Sequence, residues 1–533
     1  IFFFTRCVWS CQRRIYIVRG GLFFFSHPNV IQPKKKINTK ISCRQTSHRH
    51  TLTLLLNLHH QTCQLTIMAT SKIIDYFRLK DIVNQRIVYD LPLNYTDSQS
   101  SSTIKVAITI TSKYDKNLHN DKEGFEKVLL PEKPKIIVYL QGGPGFPCPV
   151  PTSNLGKTKV LLEKGYQIVY LDQRGTGLST PLEVKTFKNL VLKEYGNFEV
   201  DSQLKFILNF RADSIIRDLE QIRKDLIGNH HKWSIMGQSY GGFCCFTYLS
   251  LFPESISEVI ITGGVPPVQF KADDVYKATY QRTIERNLHY YDKYPRDQSK
   301  VVRICEYLNA NKVVLPNGGT LSVERFQQLG LRFGGTGGTD GIHLIVSKFD
   351  YDLDLFGYPT YDLLNTIQQF LGFETNVIYA LFQEAIYCNG NSKSNWSADR
   401  LRYALDNEKL FTLNKEQVFF TGEMVYKSMF DDYSELKPFK ELAYALHDFS
   451  EWSTIYDPKV LKTITWDKVP IVAATYFDDQ YVDFEITRKV KQDIIPRGNL
   501  RQFITNEYFH NGLGQDPETI LSSLFDLLDR EID

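Results

Sequence analysis

The chain has 533 residues, 42% of them apolar, and a formal charge of +3. That length holds one large core and a second domain. The charge is unevenly placed: residues 1–67 hold ten Lys/Arg and no Asp or Glu, and residues 68–533 hold 53 basic and 60 acidic groups, a net −7, so the basic isoelectric point is no sign of a nucleic-acid partner.

Residues 1–67 contain no methionine, four of the nine cysteines and five of the twelve histidines, and show no helical or strand period. They read as a disordered or artefactual leader upstream of a start at Met68, with an Arg- and Ser-containing transit peptide as the alternative. His48, His50, His59 and His60 lie there and are not taken as a metal site. No run reaches the roughly 18 consecutive apolar residues of a membrane helix. The five later cysteines, Cys148, Cys244, Cys245, Cys305 and Cys388, form no C-x-x-C pair. The expectation is a cytoplasmic, reduced protein without disulfides, zinc or a membrane partner. A plastid or mitochondrial location follows only from a genuine transit peptide.

Regular patterning begins near residue 84. "RIVYDLPL" and "STIKVAITITSKY" predict two antiparallel strands. "KPKIIVYL" and "YQIVYLD" are continuous apolar runs, as expected of strands buried on both faces of a mostly parallel sheet. In "RADSIIRDLEQIRKDLIG", Ile215, Ile216, Leu219, Ile222 and Leu226 have the spacing of an amphipathic helix that ends at Gly228. "KWSIM" and "SEVIITGG" predict further strands, and "FCCFTYLSLF" a buried helix. A long helical stretch covers about 266–465. Within it "FGGTGGTDG" (333–341) lacks the ending of a phosphate loop and reads as a flexible loop. Strands resume in "VPIVAATYF" and "LRQFITNEYF", and a helix closes the chain. The alternation predicts an α/β fold with a mostly parallel central sheet. Its core is formed by residues 68–265 and 466–533, and a large, mainly helical cap domain is inserted at 266–465.

Between the predicted strand "KWSIM" and helix "FCCFTYLSLF" stands Gly237-Gln238-Ser239-Tyr240-Gly241. A strand, a tight glycine turn and a helix lift a serine oxygen above the sheet edge, the arrangement called a nucleophile elbow. A nucleophilic serine needs a base to take its proton and a carboxylate to orient that base. Asp478 and Asp479 follow the strand "VPIVAATYF", and His510 follows the last strand, so serine, acid and histidine occur in the order of α/β-hydrolases. Spacing does not separate the two aspartates. "VYLQGGPG" brings a strand into glycines whose backbone N–H can face a substrate, so Gly143 and Tyr240 are expected to supply the oxyanion donors. Arg174, in "LDQRG", is expected to pair with an acid beneath the site.

"QGGPG", "LDQRGTGLS", "GQSYGG" and "NEYFHNGL" together resemble the proline iminopeptidases (prolyl aminopeptidases) of the α/β-hydrolase fold, over about residues 84–525. "FRADSIIRDLEQIR", "EAIYCNG", "WSADR" and "FTGEMVY" resemble the larger fungal and plant-type members. Gln141 departs from the histidine of smaller bacterial members. The resemblance selects Asp479, followed by Gln-Tyr-Val, over Asp478. It implies a catalytic triad of Ser239, Asp479 and His510, release of an N-terminal proline from short peptides, and no metal or organic cofactor. It also implies cap-domain acids that hold the substrate ammonium, for which Glu384 and Glu423 are the candidates, with Phe382, Tyr387, Trp396 and Phe420 nearby. An esterase, amidase or thioesterase would use the same machinery, and a catalytically silent binding protein would keep the fold.

Overall fold

The computed structural model describes residues 16–18, 21–23, 70–97, 101–496 and 498–531. The chain divides into two compact units, Ile1–Ile67 and Met68–Asp533. In the first unit Tyr16–Val18 pairs antiparallel with Gly21–Phe23. The four histidines considered for metal, and the leader apart from these six paired residues, lie outside the described residues.

The second unit is built on a nine-stranded sheet. In chain order its strands are β1 (Thr70–Leu79), β2 (Ile82–Pro92), β3 (Thr103–Lys113), β4 (Ile136–Leu140) and β5 (Gln167–Leu171). They are followed by β6 (Trp233–Gln238), β7 (Ile256–Thr262), β8 (Ile471–Tyr476) and β9 (Leu500–Thr505). Across the sheet the order is β9-β8-β7-β6-β4-β5-β3-β2-β1. Every pairing from β5 to β9 is parallel, and β1, β2 and β3 add an antiparallel meander at one edge. The sequence predicts two strands in this meander and the structure has three. β1 escaped detection because Lys72, Asp75 and Arg78 interrupt it, and it can carry them because it is an exposed edge strand.

The parallel strands read as unbroken apolar runs because alternate side chains enter different cores. Val138, Leu140, Val169 and Ile235 pack with the helices α1 (Ala212–Ile227) and α2 (Tyr240–Leu251). Ile137, Tyr139, Ile168 and Met236 face the other way, toward Ile520, Leu521 and Leu524 of the closing helix. The chain leaves the sheet after β7 and returns at β8. Between them it forms mainly helices, from α3 (Ala272–Lys293) to the short helix Pro458–Leu461.

The stretch expected to be a flexible loop is in large part helical. Gln328–Gly334 is a 3-10 helix, and a new α-helix, α4, starts at Gly338 and runs to Phe356. Two of its glycines are required by close contacts: a Cβ on Gly338 would lie 1.7 Å from Arg332 O, and that on Gly334 is described below.

Candidate active site

Ser239 sits between β6 and α2 at φ 54°, ψ −126°, a strained conformation for a side-chain-bearing residue. Its N–H donates to Thr262 O at 2.9 Å, and its carbonyl accepts from Gly242 N at 2.8 Å. The elbow also requires β4 and α2 to approach closely. A Cβ on Gly241 would lie 2.0 Å from Leu140 O, so no larger residue fits without parting helix and strand.

Two loops bring the other predicted residues over the elbow. Asp479 follows β8, and its Oδ2 lies 2.7 Å from Nδ1 of His510, which follows β9. The other oxygen, Oδ1, accepts from Tyr481 N at 2.8 Å and Val482 N at 3.0 Å. The carboxylate is thus oriented by backbone donors before it orients the imidazole. Asp478 instead faces the charge of Arg286, so the geometry distinguishes the two adjacent acids. A Cβ on Gly263 would be 3.3 Å from His510 Nδ1, and one on the adjacent Gly264 would be 2.2 Å from Ser239 O, so the imidazole stands beside the elbow. Burial alone would push the His510 pKa down; the Asp479 carboxylate, with Glu423 beyond it, holds it above the ordinary value.

The loop 141–145 passes directly over Ser239, since a Cβ on Gly142 would be 2.9 Å from Ser239 Cβ. Gly143 has φ 133°, a conformation open to glycine. Gln173 Nε2 donates to Gln141 O at 3.0 Å and pins the loop. Tyr240 is the first residue of α2, where backbone N–H groups have no intrahelical acceptor and the helix dipole favours negative charge. Arg174 pairs with an acid as expected: its Nε and Nη2 donate to Asp218 at 2.8 and 2.5 Å, and Nη1 reaches Leu93 O and Asn209 O. Both side chains are buried, and Tyr95 adds a hydroxyl to Asp218 at 2.8 Å.

The two cap acids occupy different settings. Glu384 is buried, and both its oxygens are engaged: Ala398 N donates to Oε1 at 2.8 Å, Ser397 N to Oε2 at 3.0 Å, and His447 Nδ1 lies 3.0 Å from Oε2. It anchors the start of the helix Ser397–Arg402, with Trp396 stacked on His447 at 3.6 Å. Glu423 accepts the Tyr379 hydroxyl at 2.5 Å and shares the field of His510 and Asp479. Burial dominates and raises its pKa to about 7, against the lowering pull of His510 and of Tyr379. Tyr387 faces Glu423, Glu384 and Asp479. Phe382 is buried in the core, and Phe420 packs on Phe326 and Phe333 at 5.5 and 5.6 Å, which makes it core as well.

Sequence reasoning missed three neighbours of this site. Tyr379 was hidden in the apolar run "VIYALF", although its ring links Phe146 of the glycine loop (5.0 Å) to Phe373 (4.7 Å). Gln383 is fully buried beside Glu423, with neither amide atom in a hydrogen bond of standard geometry. Tyr481 sets its ring edge against the His510 imidazole at 4.7 Å and 71°. A tyrosine inside a buried segment carries no local signal that its hydroxyl or edge is used.

Residues 135–297, which span β4 to β7 and Ser239, match the family model described as alpha/beta hydrolase fold. The chain is 40% identical over 391 residues to a proline iminopeptidase of Aeromonas sobria, covering 73% of this chain and 87% of that protein. It is 39% identical over 413 residues to the proline iminopeptidase aneH of Aspergillus aculeatus, covering 76% of this chain and 87% of that protein. Among solved structures, a proline iminopeptidase of Mycobacterium smegmatis aligns over 83% of this chain and 98% of its own, at 13% identity and a TM-score of 0.36. With likeness of this extent to two relatives, and an acid–histidine pair set beside a serine elbow, the chain belongs to the proline iminopeptidase family of α/β-hydrolases.

Proposed function

We propose that the protein is a serine aminopeptidase that releases proline from the free N-terminus of short peptides. The observation that carries this reading is the placement of Glu423, a half-buried acid from the inserted segment, in the field of the Asp479–His510 pair. Ser239 attacks the carbonyl of the first residue as His510 takes its proton. Asp479 holds the ring so that Nε2 faces the serine and stabilises the imidazolium. The N–H groups of Gly143 and Tyr240 receive the oxyanion. His510 then returns the proton to the leaving amine. The acyl-enzyme is hydrolysed by a water that His510 deprotonates, freeing proline and Ser239.

Glu423 faces the substrate's secondary ammonium. A cation leaving water for a closed site needs a paired negative charge, and of the two candidates Glu423 accepts from a tyrosine hydroxyl whereas both oxygens of Glu384 are taken by backbone donors. Glu384 contributes more remotely, by fixing the helix that begins at Ser397.

The test is kcat/KM on proline β-naphthylamide, N-acetyl-proline β-naphthylamide and p-nitrophenyl acetate, for the wild type and Ser239→Ala. Turnover of the free-amine substrate in preference to its acetylated form, abolished in Ser239→Ala, supports the reading. Equal turnover of both prolyl amides would remove the ammonium site, and cleavage of the ester alone would make the protein an esterase.

A further inference from the structure

The glycine-rich segment Phe333–Gly338, which carries no phosphate-loop chemistry, lies against both loops that bear the triad acid and base. Gly334 O accepts the backbone N–H of His510 at 3.1 Å. Two residues on, Thr336 N donates to Asn511 Oδ1 at 3.0 Å. Leu331 O, just before the turn, accepts the hydroxyl of Tyr481. Arg286 ties the same region down from α3, donating to Phe333 O at 3.2 Å while its guanidinium covers the Phe509 ring at 4.4 Å. The acid loop is held in parallel, because Gln480 Nε2 donates to Thr283 Oγ1 at 3.2 Å and lies 3.4 Å from Gly330 O.

These contacts also explain one of the glycines. A Cβ on Gly334 would lie 2.3 Å from Cζ of Tyr481, the ring that packs edge-on against His510. At Gly335 it would only make ordinary contact, 3.5 Å from Asn511 Cγ. A larger residue at 334 must push the Tyr481 ring, and the imidazole stands behind that ring.

We propose that the glycine turn of the helical segment is a positioning element for the base: its backbone sets the orientation of the His510 imidazole. This rests on the serine-hydrolase reading above. The sheet delivers His510 to the end of β9, but the final placement of its backbone N–H, its neighbour Asn511 and its aromatic wall Tyr481 comes from residues 331–336. The ring orientation is therefore a joint property of the sheet and the inserted helices. A displacement there acts on proton transfer, a step common to every substrate, and not on recognition of the ammonium.

The experiment uses the full chain as Gly334→Ala, Asn511→Ala, Asn511→Asp and Ser239→Ala. It measures kcat and KM on proline β-naphthylamide and p-nitrophenyl acetate, the rate of Ser239 modification by a phosphonate, and thermal unfolding. Gly334→Ala is expected to lower kcat about 100-fold on both substrates, with KM nearly unchanged, as a misplacement of about 1 Å would. Phosphonate modification should slow in proportion, and unfolding should stay cooperative. Asn511→Ala is expected to lose about 5- to 10-fold in kcat, the worth of one hydrogen bond. Asn511→Asp, which keeps the acceptor oxygen, should recover most of it on the high-pH plateau. If Gly334→Ala does not fold, the Asn511 pair decides. Wild-type kcat in the folded variants, or a change confined to KM, overturns the positioning role. Undiminished turnover in Ser239→Ala overturns the serine-hydrolase reading instead, so the two failures are distinct.

Discussion

At the scale of single residues, Glu423, as the proposed ammonium partner, is expected to set a pH limit on binding. Its carboxyl gives up its proton only at about pH 7, because burial outweighs the pull of His510 and Tyr379. Below that pH it is neutral and offers a prolyl ammonium no charge. KM for proline β-naphthylamide is therefore expected to fall as the pH rises through about 7, while p-nitrophenyl acetate shows no such limb. Glu423→Gln should remove the limb and raise KM for the amine substrate about 10- to 100-fold, as loss of a charged hydrogen bond does. Steady-state rates on both substrates across pH check this. The same group bears on stability with a definite sign. An acid whose pKa is raised by folding holds its proton more tightly in the folded state, so its contribution declines as the pH rises from the unfolded value toward about 7. Glu423→Gln is accordingly expected to unfold at a higher temperature than the wild type at pH 8, with the gain gone at pH 5. His510 acts on kcat instead. Its raised pKa means that the neutral base is lost as the pH falls through that value, for ester and amide alike. Arg174 and Asp218 serve the frame. Asp218→Asn leaves a buried guanidinium without its counter-charge and should cost about 3–5 kcal/mol in thermal or urea unfolding.

At the scale of elements, the elbow is the least forgiving junction. Gly241→Ala would set a methyl 2.0 Å from Leu140 O, between α2 and β4. The expected outcome is a variant with a strongly lowered Tm and no serine reactivity, read by thermal unfolding and phosphonate labelling. This junction was also the most legible part of the sequence. Buried parallel strands and glycine-forced contacts write themselves as apolar runs and small residues, and the chain order of serine, acid and histidine followed from them, while the choice of Asp479 over Asp478 came from the family resemblance. What stayed hidden has physical reasons. β1 alternates charge with apolar residues because one of its edges meets solvent. The turn at 333–338 looked like a flexible loop because a glycine demanded by a distant tyrosine is indistinguishable from one demanded by flexibility. Glu384 looked like a ligand-binding acid, since nothing local shows that Ser397 and Ala398, more than ten residues on, supply its donors.

For the whole molecule, labour is divided along the chain. The sheet presents Ser239, Asp479 and His510, proposed above as nucleophile, acid and base, and the segment between β7 and β8 supplies Glu423, Tyr379 and the glycine turn. Two substitutions within the inserted segment should separate kinetically. Glu423→Gln acts on KM for free-amine substrates, and Gly334→Ala acts on kcat for all substrates. A combined variant is expected to show the two losses multiplied, because the perturbed steps are distinct.

The division has a consequence for biogenesis. β8 pairs with β7 in register Ile471↔Val259, across more than two hundred intervening residues, and β9 joins only through β8. Contacts of such separation form late and slowly. Synthesis proceeds from the N-terminus, so Ser239 emerges long before the loops that follow β8 and β9 and carry Asp479 and His510. Until both loops have been made, the growing polypeptide is expected to hold Ser239 without the base proposed to activate it, and its serine to stay silent toward peptide and phosphonate alike.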